Sequence, residues 1–265
     1  MIKIEKYEIS TETKVISSPI HYYPTKYGLD KELSGKGINL CIIDTGVPCH
    51  KSLASVAGKT NFCDGKSDIN DKIGHATMIA GIIAGNDKKT ILGIAPNVNL
   101  FCAKSIDEKG NCDINSLVAA VLWAIVSEVD VILMALGTST DYQLLHDAIK
   151  KAHQQNICIV AATGNNIKQE HVDFPSRYPE VFSVGVKSKS TRWNKILEKE
   201  AKFVLVNKKN ITTFGEDLFV KVNGSSMAAA VVAGCCCLLV ENYKNVLKKE
   251  FSTKDILKDL KLLKF

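Results

Sequence analysis

"GINLCIID", residues 37–44, ends an apolar run on a carboxylate. From Leu40 to Ile43 no polar side chain intervenes, so the run has no side to turn to water. A strand with one wet face alternates apolar and polar residues, whereas a strand covered on both faces reads as this one does. "VNLFCAK" (98–104), "DVILMAL" (130–136), "ICIVAAT" (157–163) and "VFSVGV" (181–186) have the same character. Helical patterns lie between them. "GHATMIAGIIAG" (74–85) reads as a helix of small residues, and in "DINSLVAAVLWAIVSE" positions 114, 117, 118, 121, 122 and 125 follow the spacing of a helix with one buried face. Further helices are expected at 141–155, 226–240 and 254–263. This alternation predicts an α/β fold, a doubly wound, mostly parallel sheet with helices on both faces, as a single domain. Sites in such sheets form beyond the carboxyl ends of the strands, where Asp44 ends one run and Asn165 follows another.

The bulk properties narrow the function classes. The chain has 265 residues, 46% of them hydrophobic, and no linker rich in Pro, Gly or Ser. Residues 1–25 read as an N-terminal extension, either a short pro-segment or a strap, and residues 26–265 as the domain. The start, "MIKIEKYEIS", lacks the apolar run of a signal peptide. No segment offers the roughly 18 uninterrupted apolar residues of a membrane span, so a cytoplasmic location is expected. Nine cysteines with no C-x-x-C pair signal neither a disulfide framework nor a zinc ribbon, and read as buried free thiols. The net charge of +6 comes from scattered lysines that gather only near the C-terminus. Without a basic stripe interleaved with aromatics, nucleic acid is not an expected partner. Nothing in the chain speaks to an oligomer.

Four short stretches carry chemistry. "IIDTG" places Asp44 at a strand end, and "DKIGHATMIAG" places His75 in the first turn of a helix. "AATGNN" places Asn165 just past a strand, and "NGSSMAAAVVAG" (223–234) places Ser226 at the start of an apolar helix. Acyl transfer needs such a set. A serine hydroxyl is a poor nucleophile until an imidazole takes its proton, and a carboxylate must hold that imidazole in the right tautomer. The oxyanion needs donors placed beforehand, which an Asn amide and the backbone at a helix start supply. Singly, each residue has a plainer role: Asp44 or Asn165 in a turn, His75 in a core, Ser226 as a helix cap.

From about Gly35 onward the sequence resembles the subtilisin family of serine proteases, in the chain order Asp, His, Ser. "GKGINLCIIDTG", "LGIAPNVNLFCAK", "VDVILMALG", "YPEVFSVG" and "GSSMAAAVVAG" carry the resemblance. It implies that Asp44 orients His75, that His75 is general base and then general acid, that Ser226 attacks, and that Asn165 donates to the oxyanion. It also implies that Gly110, Ala135, Leu136, Gly137 and Asp173 bind substrate. Several positions depart from the family pattern. Ala76 replaces the glycine of "GHGT", Ala135 stands where a serine is usual, Ala230 replaces the proline after "SMAx", and "NKK" (207–209) replaces "APG". None of these removes a catalytic group.

The resemblance sets two further expectations. Secreted relatives hold a tight calcium ion through an Asp shortly after the first motif and a loop after the catalytic histidine. The matching residue here is Ser52 and the loop is the short "GNDKKT", where Lys88 and Lys89 bring positive charge. The tight calcium site is therefore expected to be lost, with no metal or other cofactor required. Asp173, in "HVDFPSRYP", occupies the floor of the P1 pocket by spacing, and a carboxylate there predicts a preference for Arg or Lys at P1. The plainer reading pairs Asp173 with Arg177 or a nearby lysine at the surface. "SSPIHYYPTKYG" is a candidate to block the cleft, or equally a strap on the surface. The expected function is a cytoplasmic serine endopeptidase, either in general turnover or dedicated to cleaving one leader peptide. The rival reading is a catalytically silent scaffold that binds peptides.

Overall fold

The computed structural model describes residues 2–3, 18–63, 68–205 and 210–265, so the "NKK" segment (207–209) lies outside the described residues. A seven-stranded sheet forms the centre. Its strands are β1 (Asn39–Asp44), β2 (Gly58–Asn61), β3 (Asn99–Lys104), β4 (Val131–Met134), β5 (Cys158–Ala162), β6 (Phe182–Val186) and β7 (Phe203–Leu205). They lie side by side in the order β7-β6-β5-β4-β1-β3-β2. Every pairing is parallel. The chain starts at the central β1, goes out to the edge strand β2, returns to place β3 between them, and then crosses to β4 on the other side. The crevice at the carboxyl ends of β1 and β4 is therefore the switch point at which such sheets hold ligands.

The apolar runs behave as a doubly covered sheet requires. Leu40 and Ile42 enter one core and Cys41 and Ile43 the other, and the same alternation holds for Leu133 against Ile132 and Val160 against Ile159. On the first face lie α1 (His75–Ala84), most of α5 (Ser225–Glu241) and α6 (Thr253–Leu260). On the second lie α2 (Ile114–Val126) and α3 (Gln143–Gln154). A further helix, α4 (Thr191–Glu200), joins neither and makes a small core of its own with Val172, Trp193 and Leu197. A hairpin of β8 (Asn210–Phe214) and β9 (Leu218–Val222) clamps α1. In it the Thr212 and Thr213 hydroxyls donate to the Met78 and Thr77 carbonyls at 2.6 and 2.7 Å.

One sequence expectation needs a qualification and another a correction. The helix continuous over Ser225–Leu247 is long and apolar enough to cross a membrane by length and composition, although 89% of that apolar window is buried inside the protein. The burial identifies it as the core helix of the sheet. Cys49 is exposed and Cys63 half-buried, while the other seven cysteines are buried free thiols.

At the N-terminal side, Ile20–His21 pairs in parallel with Ile91–Leu92, and Tyr22 donates from its hydroxyl to Ile211 O at 2.9 Å. Tyr22 and Tyr27 are buried, so the stretch from 18 to 28 is anchored in the core. Further upstream, Ile2 and Lys3 pair antiparallel with Cys112 and Asn111.

Candidate active site

Asp44 is the last residue of β1 and is 1% exposed. His75 opens α1 and is fully buried. The two meet: His75 Nδ1 lies 2.8 Å from Asp44 Oδ1 and 2.9 Å from Oδ2. The turn before α1 needs glycine, because Gly74 has φ +89° and a Cβ there would stand 2.3 Å from the Phe214 ring. Burial opposes a charge on His75. The Asp44 carboxylate, its hydrogen bond and the more distant Asp71 outweigh that and raise the imidazole above its ordinary value.

Asp71 and Thr45 were missed from the sequence. Asp71 Oδ1 accepts the Gly74 and Ile73 amides at 2.7 and 3.1 Å, and Oδ2 accepts the amide and hydroxyl of Thr77, both at 2.8 Å. One carboxylate thus satisfies several of the donors around the start of α1. The Thr45 hydroxyl shares its proton between Asp44 Oδ1 (3.0 Å) and Asp71 Oδ1 (2.8 Å), while its oxygen accepts the Ala76 amide at 3.0 Å. The available signal was an acidic residue just ahead of "GH", which marks a helix start.

Ser226 is the second residue of α5, whose N-cap is Gly224 at φ +117° with no side-chain capping bond. The reading of Ser226 as a helix cap is thereby excluded. Its hydroxyl donates to Ala135 O at 3.1 Å. Since Ile42 pairs with Leu133, Asp44 and Ala135 both lie two residues further along neighbouring parallel strands. Asn165 reaches the same place from beyond β5. Its Oδ1 accepts the Ser225 amide at 2.9 Å, and its side-chain amide packs against Gly224 at the Cβ-free side. Plain turn chemistry falls to the next residue, since Asn166 Oδ1 accepts the Lys168 amide.

The positions expected to bind substrate divide. Ala135 and Leu136 are buried at the end of β4. Asp173 is 4% exposed and packs directly on Gly137, where an added Cβ would come within 2.7 Å of its own Cβ. Gln169 Nε2 donates to Asp173 Oδ1 at 3.0 Å, and the Arg177 guanidinium lies over the Phe174 ring, 5.4 Å from its centre. Gly110, at φ +79°, sits in a turn with open space around it.

The loop expected to have lost calcium is held by its own side chains. Ser52 Oγ pairs with Thr90 Oγ1 at 2.8 Å, and Asp87 accepts the Thr90 hydroxyl and the Lys89 amide. Among the described residues, no group of three His, Cys, Asp or Glu side chains is placed to hold a metal ion.

A parallel α/β sheet with a buried carboxylate–imidazole pair at its switch point, next to a helix that opens on serine, has the layout of a serine hydrolase. Within that class the chain belongs to the subtilase family, whose profile matches residues 35–261. It is 38% identical over 153 residues to the minor extracellular protease Epr of Bacillus subtilis (strain 168), a match covering 57% of this chain and 24% of that protein. It is 32% identical over 215 residues to subtilisin DY of Bacillus licheniformis, covering 79% and 78% of the two chains. With the major intracellular serine protease of Bacillus subtilis (strain 168) it shares 32% identity over 213 residues, 75% of this chain and 67% of that one.

Proposed function

We propose that this chain is a serine endopeptidase that hydrolyses peptide bonds through an acyl-enzyme, with Asp44, His75 and Ser226 as its triad. The observation that carries the reading is the buried Asp44–His75 pair, in which both carboxylate oxygens face Nδ1. That contact keeps a proton on Nδ1 and directs the basic lone pair to Nε2. On this reading the Ser226 hydroxyl leaves Ala135 O when substrate binds, gives its proton to His75 and attacks the scissile carbonyl. The charge that develops on oxygen falls to the Asn165 amide, whose carbonyl end is already committed to Ser225, and to the backbone at the start of α5. His75 then returns the proton to the leaving amine, and water repeats the sequence on the acyl-enzyme.

Asp173 against Gly137 supports a preference for Arg or Lys at P1. It places a buried carboxylate beside the residue that the resemblance puts in the pocket wall. A cytoplasmic location is favoured by the intracellular relative. Within that setting, general turnover and dedicated leader-peptide cleavage are the two roles. The antiparallel seat of Ile2–Lys3 on Asn111–Cys112, beside Gly110, supports an N-terminal segment that occupies a substrate-strand position.

The test of the reading is covalent labelling. A fluorophosphonate probe is expected to modify the wild type and to leave Ser226→Ala unlabelled at an unchanged melting temperature. Labelling that persists in Ser226→Ala overturns the assignment of the nucleophile.

A further inference from the structure

Glu200 ends α4 and turns back to the segment that carries Asp173. Its Oε2 accepts the Val172 amide at 3.0 Å, and its Oε1 lies 2.7 Å from His171 Nδ1. Val172 is 2% exposed, so its amide has no water to turn to. Its side chain packs with Trp193 and Leu197 of the same helix. Arg192 Nη1 donates to Lys168 O at 3.3 Å. Helix α4 therefore grips the run from 168 to 172 along its length. The residues that follow are pinned from the opposite side. The Asp173 amide donates to Thr163 O at 3.1 Å, and Phe174 and Thr138 exchange backbone bonds of 2.8 and 2.9 Å. The direction of the Asp173 side chain is set where these two supports meet.

We propose that Glu200 is a positioning residue for P1 selection, which holds His171 and Val172 so that the Asp173 carboxylate stays against Gly137 to meet a basic side chain. This rests on the reading of Asp173 as the pocket floor. Glu200 suits the task chemically. Burial works against its charge, but hydrogen bonds from His171 and Val172 and the nearby charges of His171 and Arg177 hold its carboxyl below the usual range. It is thus ionised at neutral pH and accepts from both partners at once. The amphipathic α4 places Trp193 and Leu197 inward at i, i+4, which leaves Glu200 at the helix end facing the segment.

The experiment compares kcat and KM for matched peptides with Arg or Leu at P1, in wild type, Asp173→Ser, Glu200→Ala, Glu200→Asp and Glu200→Gln. The Arg-over-Leu ratio of kcat/KM is expected to fall about tenfold in Glu200→Ala, the size of one charge-assisted bond, mainly through KM for the Arg peptide. The Leu peptide is expected to change by less than about twofold, and Glu200→Gln, which keeps an acceptor for Val172, to retain most of the ratio. A ratio kept in Glu200→Ala but lost in Asp173→Ser overturns the Glu200 proposal and leaves the Asp173 reading standing. A wild type without basic preference overturns both. Equal slowing of both peptides in Glu200→Ala marks a merely structural residue and also overturns the proposal. If Glu200→Ala does not fold, Glu200→Asp, which withdraws the carboxylate by one methylene, is judged by the same ratio.

Discussion

The His75 side of the site and the Asp173 side are built in opposite ways. Around His75, one carboxylate (Asp71), one hydroxyl (Thr45) and one obligatory glycine (Gly74) lock the start of α1 to the end of β1. Asp44, Thr45 and His75 are buried, and Gly74 packs on Phe214 of the β8–β9 hairpin, so the pair sits in the core. Around Asp173 the support is a satellite: a ten-residue helix, a three-residue core and a clamp at the helix end. The family chemistry needs the first arrangement whatever the substrate. The second can vary without disturbing it. On the proposed reading the difference separates turnover from selectivity in space, and substitutions on the two sides are expected to separate in kinetics.

The largest effect tests that separation directly. Asn165→Ala is expected to lower kcat by about 10²–10³, a size carried over from the oxyanion donor of subtilisin, with little change in KM and the same loss for every P1 residue. Asp173→Ser is expected to act only on basic P1 residues. Loss of one charge-assisted bond worth about 1.5–3 kcal/mol corresponds to roughly 10- to 150-fold in kcat/KM for Arg or Lys, with Leu and Phe unaffected. Steady-state kinetics on four matched peptides decides both. An Asn165→Ala loss confined to KM removes the oxyanion assignment, and an Asp173→Ser loss shared by all four peptides erases the distinction between the two sides.

The same contrast explains what the sequence revealed. Strands β1, β3, β4, β5 and β6 and helices α1, α2, α3, α5 and α6 were legible within a few residues, because each carries its own apolar pattern. β2 reads "GKTN" and was invisible, since its place at the sheet edge comes from pairing with β3. α4 reads "TRWNKILEKE" and turns only Trp193 and Leu197 inward, too sparse a stripe to register. The hairpin strand "NITTF" places its threonines inward because the carbonyls of α1 accept their hydroxyls, a tertiary reason with no local mark. Asp44, His75, Asn165 and Ser226 could be singled out as candidates because each sits in a short motif of its own. Their supports Asp71, Thr45 and Glu200 were not, because each acts through a neighbour distant in the chain or hidden in a turn.

A smaller effect sharpens the account of the His75 side. The base must be neutral before attack, so kcat/KM is expected to rise with pH through a single step. Asp44 and then Asp71 lift His75, and they place that step above the ordinary histidine value of 6.5. Asp71→Asn removes one of those negative charges. The step is expected to move down in pH, so that activity extends to more acidic solution. The substitution also deprives α1 of part of an acceptor set, which is expected to cost about 1–3 kcal/mol of stability. A pH–rate profile and a denaturation curve measure the two consequences separately. A step that stays in place, or moves up, shows that Asp71 does not act on His75 through its charge.

The smallest expected effect concerns the loop beside Ser52, where chelation by EGTA is expected to leave the melting temperature unchanged. Calcium takes six to eight oxygen ligands, with carboxylates supplying most of the charge. Here the position that would bring a carboxylate is Ser52, which is 2% exposed and whose hydroxyl pairs with Thr90. The one carboxylate of the loop, Asp87, has both oxygens engaged, Oδ1 by the Lys89 amide and Oδ2 by the Thr90 hydroxyl. A cation would have to break those bonds beside Lys88 and Lys89. An ion held at about a hundred times its Kd stabilises by roughly 2.7 kcal/mol. At about 2–4 °C per kcal/mol for a domain near this size, its removal would lower the melting temperature by roughly 5–11 °C. Scans with and without EGTA resolve a shift of that size easily, and a drop within that range would show that the backbone carbonyls of this loop hold calcium without the missing aspartate.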